Sequence, residues 1–141
     1  MVNTTEMTLV VLDANPDGIL LTRRQMRHDG IVNNVVWQRK PEHLLATLRG
    51  LRSLGIGAAE LMILLDVNMP RSDGFETLKK LRASEDFKDV PVIMLSASDD
   101  ESDMFESFDL GASGYIVKPF QADEFFAALT NLPQVKYQLV R

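Results

Sequence analysis

The sequence predicts an α/β fold, a doubly wound parallel sheet of five strands with five helices on its two faces. Strand and helix patterns alternate along the chain, as they do where helices connect parallel strands. The segment Leu61–Asp66 is apolar up to its last residue, which is typical of a strand covered on both faces. A length of 141 residues with 45% hydrophobic and 25% charged residues fits one folded domain.

The predicted strands are residues 7–12, 31–37, 61–66, 91–95 and 115–117. The first helix begins at Asn15-Pro16, a capping residue followed by a proline suited to a first helical turn, and ends near Gly30. The other helices are predicted to start at Pro41 and at Asp73-Gly74, and to span residues 99–110 and 124–132. In the fourth helix, the apolar side chains are expected to face the core; they are Met104, Phe105 and Phe108.

The predicted domain spans residues 7–132, between a loose N-terminus (1–6) and a C-terminal tail (133–141). A net charge of −5 without a basic stripe argues against nucleic acid as the main partner. The absence of cysteine excludes a disulfide framework and thiolate metal sites. Since the chain has neither an apolar stretch long enough to span a membrane nor a secretory leader pattern, we expect a cytoplasmic protein with no membrane partner.

Four polar residues follow four different predicted strands. Asp13 follows the first strand, Asp66 ends the third, Ser96 follows the fourth and Lys118 follows the fifth. Because the carboxyl ends of parallel strands share one edge of the sheet, and ligands bind at that edge in open α/β sheets, these side chains are expected to cluster. Each residue alone has an ordinary explanation as a cap, a turn residue or a surface charge, but the coincidence of four favours a site.

The chemistry of this cluster suits phosphoryl transfer. Two carboxylates with a backbone carbonyl are a ligand set for a hard cation such as Mg²⁺. Asp66 could then act as a nucleophile that forms an acyl phosphate. The Lys118 ammonium could pair with a phosphoryl oxygen, and the Ser96 hydroxyl could bond another oxygen only once the phosphoryl group is present. A bond that depends on the phosphoryl group would act as a switch.

These residues and their spacing resemble the receiver domain of two-component response regulators, over roughly residues 7–132. Beyond Asp66, the resemblance rests on Pro70 and Gly74, four and eight residues further on, and on three later motifs, Ser96-Ala97, Tyr115 and Lys118-Pro119-Phe120. The resemblance implies a flavodoxin-like sheet with strand order 2-1-3-4-5.

The resemblance also implies roles for individual residues. Asp66 would accept a phosphoryl group from a histidine kinase, with Lys118 and Ser96 contacting that group. Mg²⁺ would be bound by Asp13, Asp66 and the backbone carbonyl of Asn68. Ser96 and Tyr115 would form the switch, and the peptide bond before Pro119 would be cis. The chain would then be a signalling phosphoprotein rather than an enzyme with an external substrate.

Leu12 departs from the pattern, because receiver domains usually carry two consecutive acids after the first strand. The missing carboxylate normally holds metal-bound waters, so we expect weaker Mg²⁺ binding, by about 10- to 100-fold. Leu12 also leaves open a pseudo-receiver, a binding module that signals without phosphorylation. An aspartyl-phosphate phosphohydrolase is disfavoured, since such enzymes usually carry an acid two residues after the nucleophile, where this chain has Asn68.

The expected partners follow from the same resemblance. Only nine residues follow Leu132, so we expect a stand-alone receiver whose output is a downstream protein, a phosphotransfer partner or a homodimer. The phosphoryl donor would be a sensor histidine kinase, and a phytochrome-type kinase is one candidate. The resemblance also offers the face of the fourth helix, the fifth strand and the fifth helix as a partner surface, as the alternative to core packing of Met104, Phe105 and Phe108.

Overall fold

A computed structural model describes residues 7–31, 33–66 and 71–129 of the chain. Within these residues it contains five strands and five helices that alternate along the sequence. The strands are β1 (Thr8–Leu12), β2 (Val35–Gln38), β3 (Leu61–Asp66), β4 (Val92–Ser96) and β5 (Gly114–Val117). The helices are α1 (Pro16–His28), α2 (Leu44–Ser53), α3 (Arg71–Ala83), α4 (Glu101–Asp109) and α5 (Ala122–Leu129).

The strands form one parallel sheet in the order β2-β1-β3-β4-β5, so the predicted fold class and strand order are confirmed. Alternate side chains of the central strands enter two apolar clusters, one on each face of the sheet. Val10 and Leu12 of β1 join the cluster with α2 and α3, whereas Leu9 and Val11 join the cluster with α1 and α5. This alternation accounts for the continuous apolar runs, because both faces of the central strands are covered.

Strand register sets the positions of the polar residues at the carboxyl edge of the sheet. Leu12 pairs with Leu65, so Asp13 follows β1 at the level of Asp66. Ser96 pairs with Val117, which places Lys118 immediately beyond that pair. The backbone amide of Lys118 donates to the carbonyl of Ser96 over 2.7 Å. The four strand-end residues therefore meet at one edge, as predicted.

Helix ends differ by a few residues from the predictions, for local reasons. The helix α1 is capped by Asn15, whose side chain accepts from the Asp17 amide, as the Asn15-Pro16 pair predicts. The helix α4 begins later than predicted because Asp100 caps it, accepting from the Ser102 amide over 2.9 Å. The helix α5 begins two residues earlier than predicted, where the Ala122 amide donates to the Asp29 carboxylate over 3.0 Å.

The second strand is shorter than predicted and begins at Val35 instead of residue 31. The side-chain amide of Asn33 donates to the carbonyl of Met7 over 3.0 Å, so the segment before β2 is attached by a side chain and not by the strand ladder. Tertiary contacts here override the β-branched pattern.

The expectation that Phe105 and Phe108 face the core is wrong. Their side chains are 76% and 51% exposed, and Met104 is half-buried. The helix α4 has only nine residues, and Ser107 is the residue of this helix that is buried. Leu110, just after the end of the helix, packs against the apolar cluster of the α2–α3 face. A short helix at the edge of the sheet buries one narrow face, and the two phenylalanines lie outside it.

Candidate functional site

The centre of the site is a pair of buried carboxyl groups, Asp13 and Asp66, at the ends of β1 and β3. Both residues have no exposed surface. The Lys118 ammonium lies 2.6 Å from Oδ1 of Asp66, and the Lys118 side chain is 19% exposed. Oδ1 of Asp13 accepts from the Asn15 amide over 2.9 Å, which fixes the carboxyl group at the start of the β1–α1 loop. One ammonium therefore faces a site that contains two acids.

The electrostatics of this cluster raise the pKa of Asp66 to about 7. Burial is the largest cause, because it penalises the charged carboxylate, and the neighbouring Asp13 carboxyl raises the pKa further. Lys118 acts in the opposite direction but does not outweigh the burial. A cation added at this position would favour the ionised form of Asp66, since it would neutralise part of the negative charge.

The donor set fits a hard divalent cation. Oδ2 of Asp13 is buried and has no hydrogen-bond donor among the described residues. A buried carboxylate oxygen without a donor is a suitable ligand for Mg²⁺, which prefers carboxylates and retains several waters. The third predicted ligand, the carbonyl of Asn68, lies outside the described residues and stays a prediction.

Leu12 contributes nothing polar to this site. Its side chain is completely buried in the apolar cluster that α2 and α3 cover. In the described part of the chain, no group of three or more histidine, cysteine, aspartate or glutamate side chains is arranged to hold a metal. The two carboxylates are therefore not joined by a third acid from the described segments.

The loop that follows β4 connects the acidic pair to α4. Oγ of Ser96 accepts from the Ser98 amide over 3.0 Å, and Ser96 is 6% exposed. Oγ of Ser98 donates to Oδ2 of Asp103 in α4 over 2.9 Å and accepts from the Asp100 amide over 3.1 Å. A change at Ser96 can therefore reach the first turn of α4 through Ser98. In the sequence the acidic start of α4 is typical of a solvated helix end, so the pattern does not indicate that Asp103 takes part in this connection.

Tyr115 contacts the same loop from β5. Its hydroxyl group donates to the carbonyl of Ser98 over 2.9 Å, and its ring packs against the apolar cluster of the α2–α3 face. Tyr115 and Phe75 line a cavity of about 240 Å³ that reaches Ser96. The predicted switch residues Ser96 and Tyr115 thus lie on one cavity. Sequence spacing does not show that Ser98 connects them.

Lys118-Pro119 is a cis peptide bond, as the resemblance implies. It follows β5 directly, where the Lys118 amide bonds to the carbonyl of Ser96. The structure thus brings together Asp13, Asp66, Ser96, Lys118 and Tyr115 of the predicted site residues.

Known proteins match this chain over nearly its whole length. The response regulator receiver domain family matches residues 9–130. The structure of the bacteriophytochrome response regulator AtBRR is 28% identical, with a TM-score of 0.77 over 95% of this chain and 97% of that one. The phosphorylated cyanobacterial phytochrome response regulator RcpA is 27% identical, with a TM-score of 0.65 over 92% of each chain.

A curated relative matches over a shorter region. The DNA-binding dual master transcriptional regulator RpaA of Synechocystis sp. is 39% identical over 71 residues. That match takes in 50% of this chain and 30% of the regulator's length, so the chain corresponds to less than a third of that protein. No helix in the described segments has the length and apolar character that crossing a membrane requires. The family match spans most of the chain, and the strand order of the sheet agrees with it. The chain therefore belongs to the response regulator receiver domain family of two-component signalling.

Proposed function

We propose that Asp66 accepts a phosphoryl group from the phosphohistidine of a sensor histidine kinase, and that phosphorylation changes the contacts of the chain with a downstream partner. The observation that carries this proposal is a fully buried carboxyl group at a strand end, in contact with the Lys118 ammonium and beside a second buried acid. A structural ion pair would not need a second buried carboxyl group beside it, since that group costs free energy there.

The proposed reaction is a displacement at phosphorus. A carboxylate oxygen of Asp66 forms a bond to phosphorus, the bond from phosphorus to the donor nitrogen breaks, and the electron pair of that bond stays on the leaving imidazole. Asp66 must be ionised to attack, and because its pKa is raised, a positive charge nearby would favour the attacking form. Asp13 and Asp66, with the Asn68 carbonyl, are the residues that would hold Mg²⁺. Bound Mg²⁺ would supply charge that offsets the phosphoryl oxygens.

Lys118 and Ser96 would change their contacts when the phosphoryl group is present. In the unphosphorylated chain the Lys118 ammonium contacts Asp66 itself, and it can move to a phosphoryl oxygen with a small shift. The Ser96 hydroxyl accepts from the Ser98 amide, which leaves its proton available for a phosphoryl oxygen. Movement of Ser96 toward that oxygen would disturb the bonds of Ser98 to Tyr115 and Asp103, and so would shift α4.

The kinase and the output partner are proposed from the relatives. AtBRR and RcpA are described as phytochrome response regulators, and RcpA is described as phosphorylated. We therefore infer that a phytochrome-type histidine kinase is a suitable donor to test, with a downstream or phosphotransfer protein receiving the signal.

A second candidate function rests on Leu12. Because Leu12 is buried in the apolar cluster, this position adds no charge to the cation site. If the remaining ligands bind Mg²⁺ too weakly, the chain would act as a pseudo-receiver that binds its partner without phosphorylation.

The test is phosphorylation with a small-molecule donor. The chain is incubated with Mg²⁺ and acetyl phosphate, and intact mass is measured, while beryllofluoride binding is followed by NMR chemical shifts. We expect a mass gain of one phosphoryl group and shifts at Ser96, Tyr115 and α4. Asp66→Asn should abolish both responses. The control Asp109→Asn removes one negative charge at an exposed position and should leave both responses intact. No response at saturating Mg²⁺ would refute phosphoacceptance and favour the pseudo-receiver.

A further inference from the structure

Charge is segregated between the two edges of the sheet. Residues 16–53, which supply α1, β2 and α2, contain seven lysines and arginines and three acids. Residues 99–129, which supply α4, β5 and α5, contain eight acids and a single lysine, Lys118, which is engaged with Asp66. Since β2 and β5 are opposite edge strands, the β2–α2 segment supplies a basic edge and the α4–β5 segment an acidic edge, while α1 and α5 pack together on one face of the sheet.

Each charged segment also exposes large apolar side chains on a helix. On α4, the acidic face consists of Glu101, Phe105, Phe108 and Asp109, each of which lies three or four residues from another member, so they share one side of the helix. Phe105 and Phe108 are 76% and 51% exposed. Two exposed aromatic rings among carboxylates are typical of an interaction surface rather than of a solvated helix.

On α1, the basic face consists of Leu20, Leu21, Arg24 and Arg27, with the exposed Asp17 one turn before Leu20 as its single acid. Leu20 is 45% and Leu21 is 65% exposed, and both arginines are exposed. The acidic face of α4 and the basic face of α1 carry four of the five large hydrophobic side chains that are exposed in the described part of the chain. The two faces match in both properties, because each combines apolar surface with charge of opposite sign.

We propose that the acidic face of α4 in one copy of this chain docks on the basic face of α1 in a second copy. The two faces cannot meet within one chain, since α1 packs on one side of the sheet and the α4 end packs on the other. A symmetric α4–α4 pair would set Glu101 and Asp109 against carboxylates of the same sign, which is unfavourable. Pairing of unlike faces is heterologous, so each added copy presents a free acidic and a free basic face.

This association does not require phosphorylation of Asp66, because both faces are exposed in the unphosphorylated chain. A contact of one helix face on another is at the small end of protein interfaces, so it should be weak and dependent on concentration. Charge complementarity makes it sensitive to salt, since the screening length falls from about 10 Å at 0.1 M to about 3 Å at 1 M.

Sedimentation velocity of the full chain over a concentration series tests the proposal. The native chain should associate at low salt, and its apparent dissociation constant should rise about tenfold or more at high salt. Arg24→Glu with Arg27→Glu, and separately Glu101→Lys with Asp109→Lys, should each sediment as a monomer. An equimolar mixture of the two variants should associate again, because the two unchanged faces form the native pair and the two reversed faces also complement each other. Asp66→Asn should behave as the native chain.

The matched control is Lys79→Glu with Lys88→Glu, which makes the same change in net charge at exposed positions on α3 and the loop after it. This control should associate as the native chain does, which separates face-specific pairing from general repulsion. Self-association that survives Arg24→Glu with Arg27→Glu would overturn the proposal and indicate α4–α4 pairing. A native chain that stays monomeric at high concentration and low salt would also overturn it.

Discussion

Replacement of Asp66 by asparagine should stabilise the metal-free protein, and the gain should grow with pH. In the folded chain the pKa of Asp66 is raised to about 7 from its ordinary value of 3.8, chiefly by burial. Between these two values the folded chain holds a proton that the unfolded chain has lost, so stability falls as the pH rises through this range. At about 1.4 kcal/mol for each pKa unit, the total loss in the native chain is about 4 kcal/mol above pH 7.

An asparagine side chain at this position cannot ionise, so the variant escapes this loss. The free energy of unfolding is measured by urea denaturation with a chelator present, at about pH 5 and about pH 8. The native chain loses about 1 to 2 kcal/mol by pH 5 and the full amount by pH 8, so the advantage of Asp66→Asn should increase by about 2 to 3 kcal/mol between them. Added Mg²⁺ should stabilise the native chain at pH 8 and leave the variant unchanged, because a cation that binds the folded state shifts the equilibrium toward it.

Asp109→Asn provides the control, since Asp109 is exposed at the end of α4 and loses the same charge. Its effect should stay within about 0.5 kcal/mol at both pH values. An equal advantage of Asp66→Asn at pH 5 and pH 8 would show that burial and Asp13 do not raise the pKa of Asp66. A variant less stable than the native chain at pH 8 would show that the contact with Lys118 outweighs the cost of burying the carboxylate.

Three further predictions concern neighbouring groups. Leu12→Asp should lower the dissociation constant for Mg²⁺ by about 10- to 100-fold in calorimetric titration. The same change should destabilise the metal-free chain by about 3 kcal/mol or more in urea denaturation, because Leu12 is fully buried. Tyr115→Phe removes the bond to the Ser98 carbonyl and should cost about 1 kcal/mol in the same assay, with the rate of phosphorylation by acetyl phosphate unchanged. Asp29→Ala should cost about 1 kcal/mol at neutral pH, because the Ala122 amide at the start of α5 loses the carboxylate to which it donates. Partial burial raises the pKa of Asp29, but hydrogen bonds from His28, Ala122 and Gln25 outweigh this effect, so the net pKa is lowered. The carboxylate therefore stabilises the fold above pH 3.8, and this stabilisation should be lost as the pH falls below that value.

The sequence predicts the fold and the composition of the site because both depend on local pattern. A strand covered on both faces must be apolar along its length, and its first polar residue then marks the strand end. Parallel topology brings such ends to one edge, which is why Asp13, Asp66, Ser96 and Lys118 could be grouped without coordinates. The pairing of strands by register gives the same grouping in the structure.

The sequence does not predict which partner each side chain takes within the site. Lys118 contacts Asp66 rather than Asp13, and Ser98 joins Tyr115 to Asp103. These bonds depend on loop backbone positions that no periodicity encodes. The exposure of Phe105 and Phe108 escapes prediction for a related reason, since a helix of nine residues leaves the position of its buried face open to two interpretations.

Leu12 connects the stability of the domain with the strength of the proposed cation site. An acid at this position would add a carboxyl group next to Asp13 in the sequence, and the pKa of Asp66 is already raised to about 7 with Asp13 as its acidic neighbour. A third carboxyl group would increase the repulsion that the metal-free fold must sustain. Leucine removes that charge and adds a fully buried side chain to the apolar cluster. The chain should therefore hold its metal-free fold more firmly than a receiver with two consecutive acids, and it should bind Mg²⁺ more weakly because one carboxylate is missing.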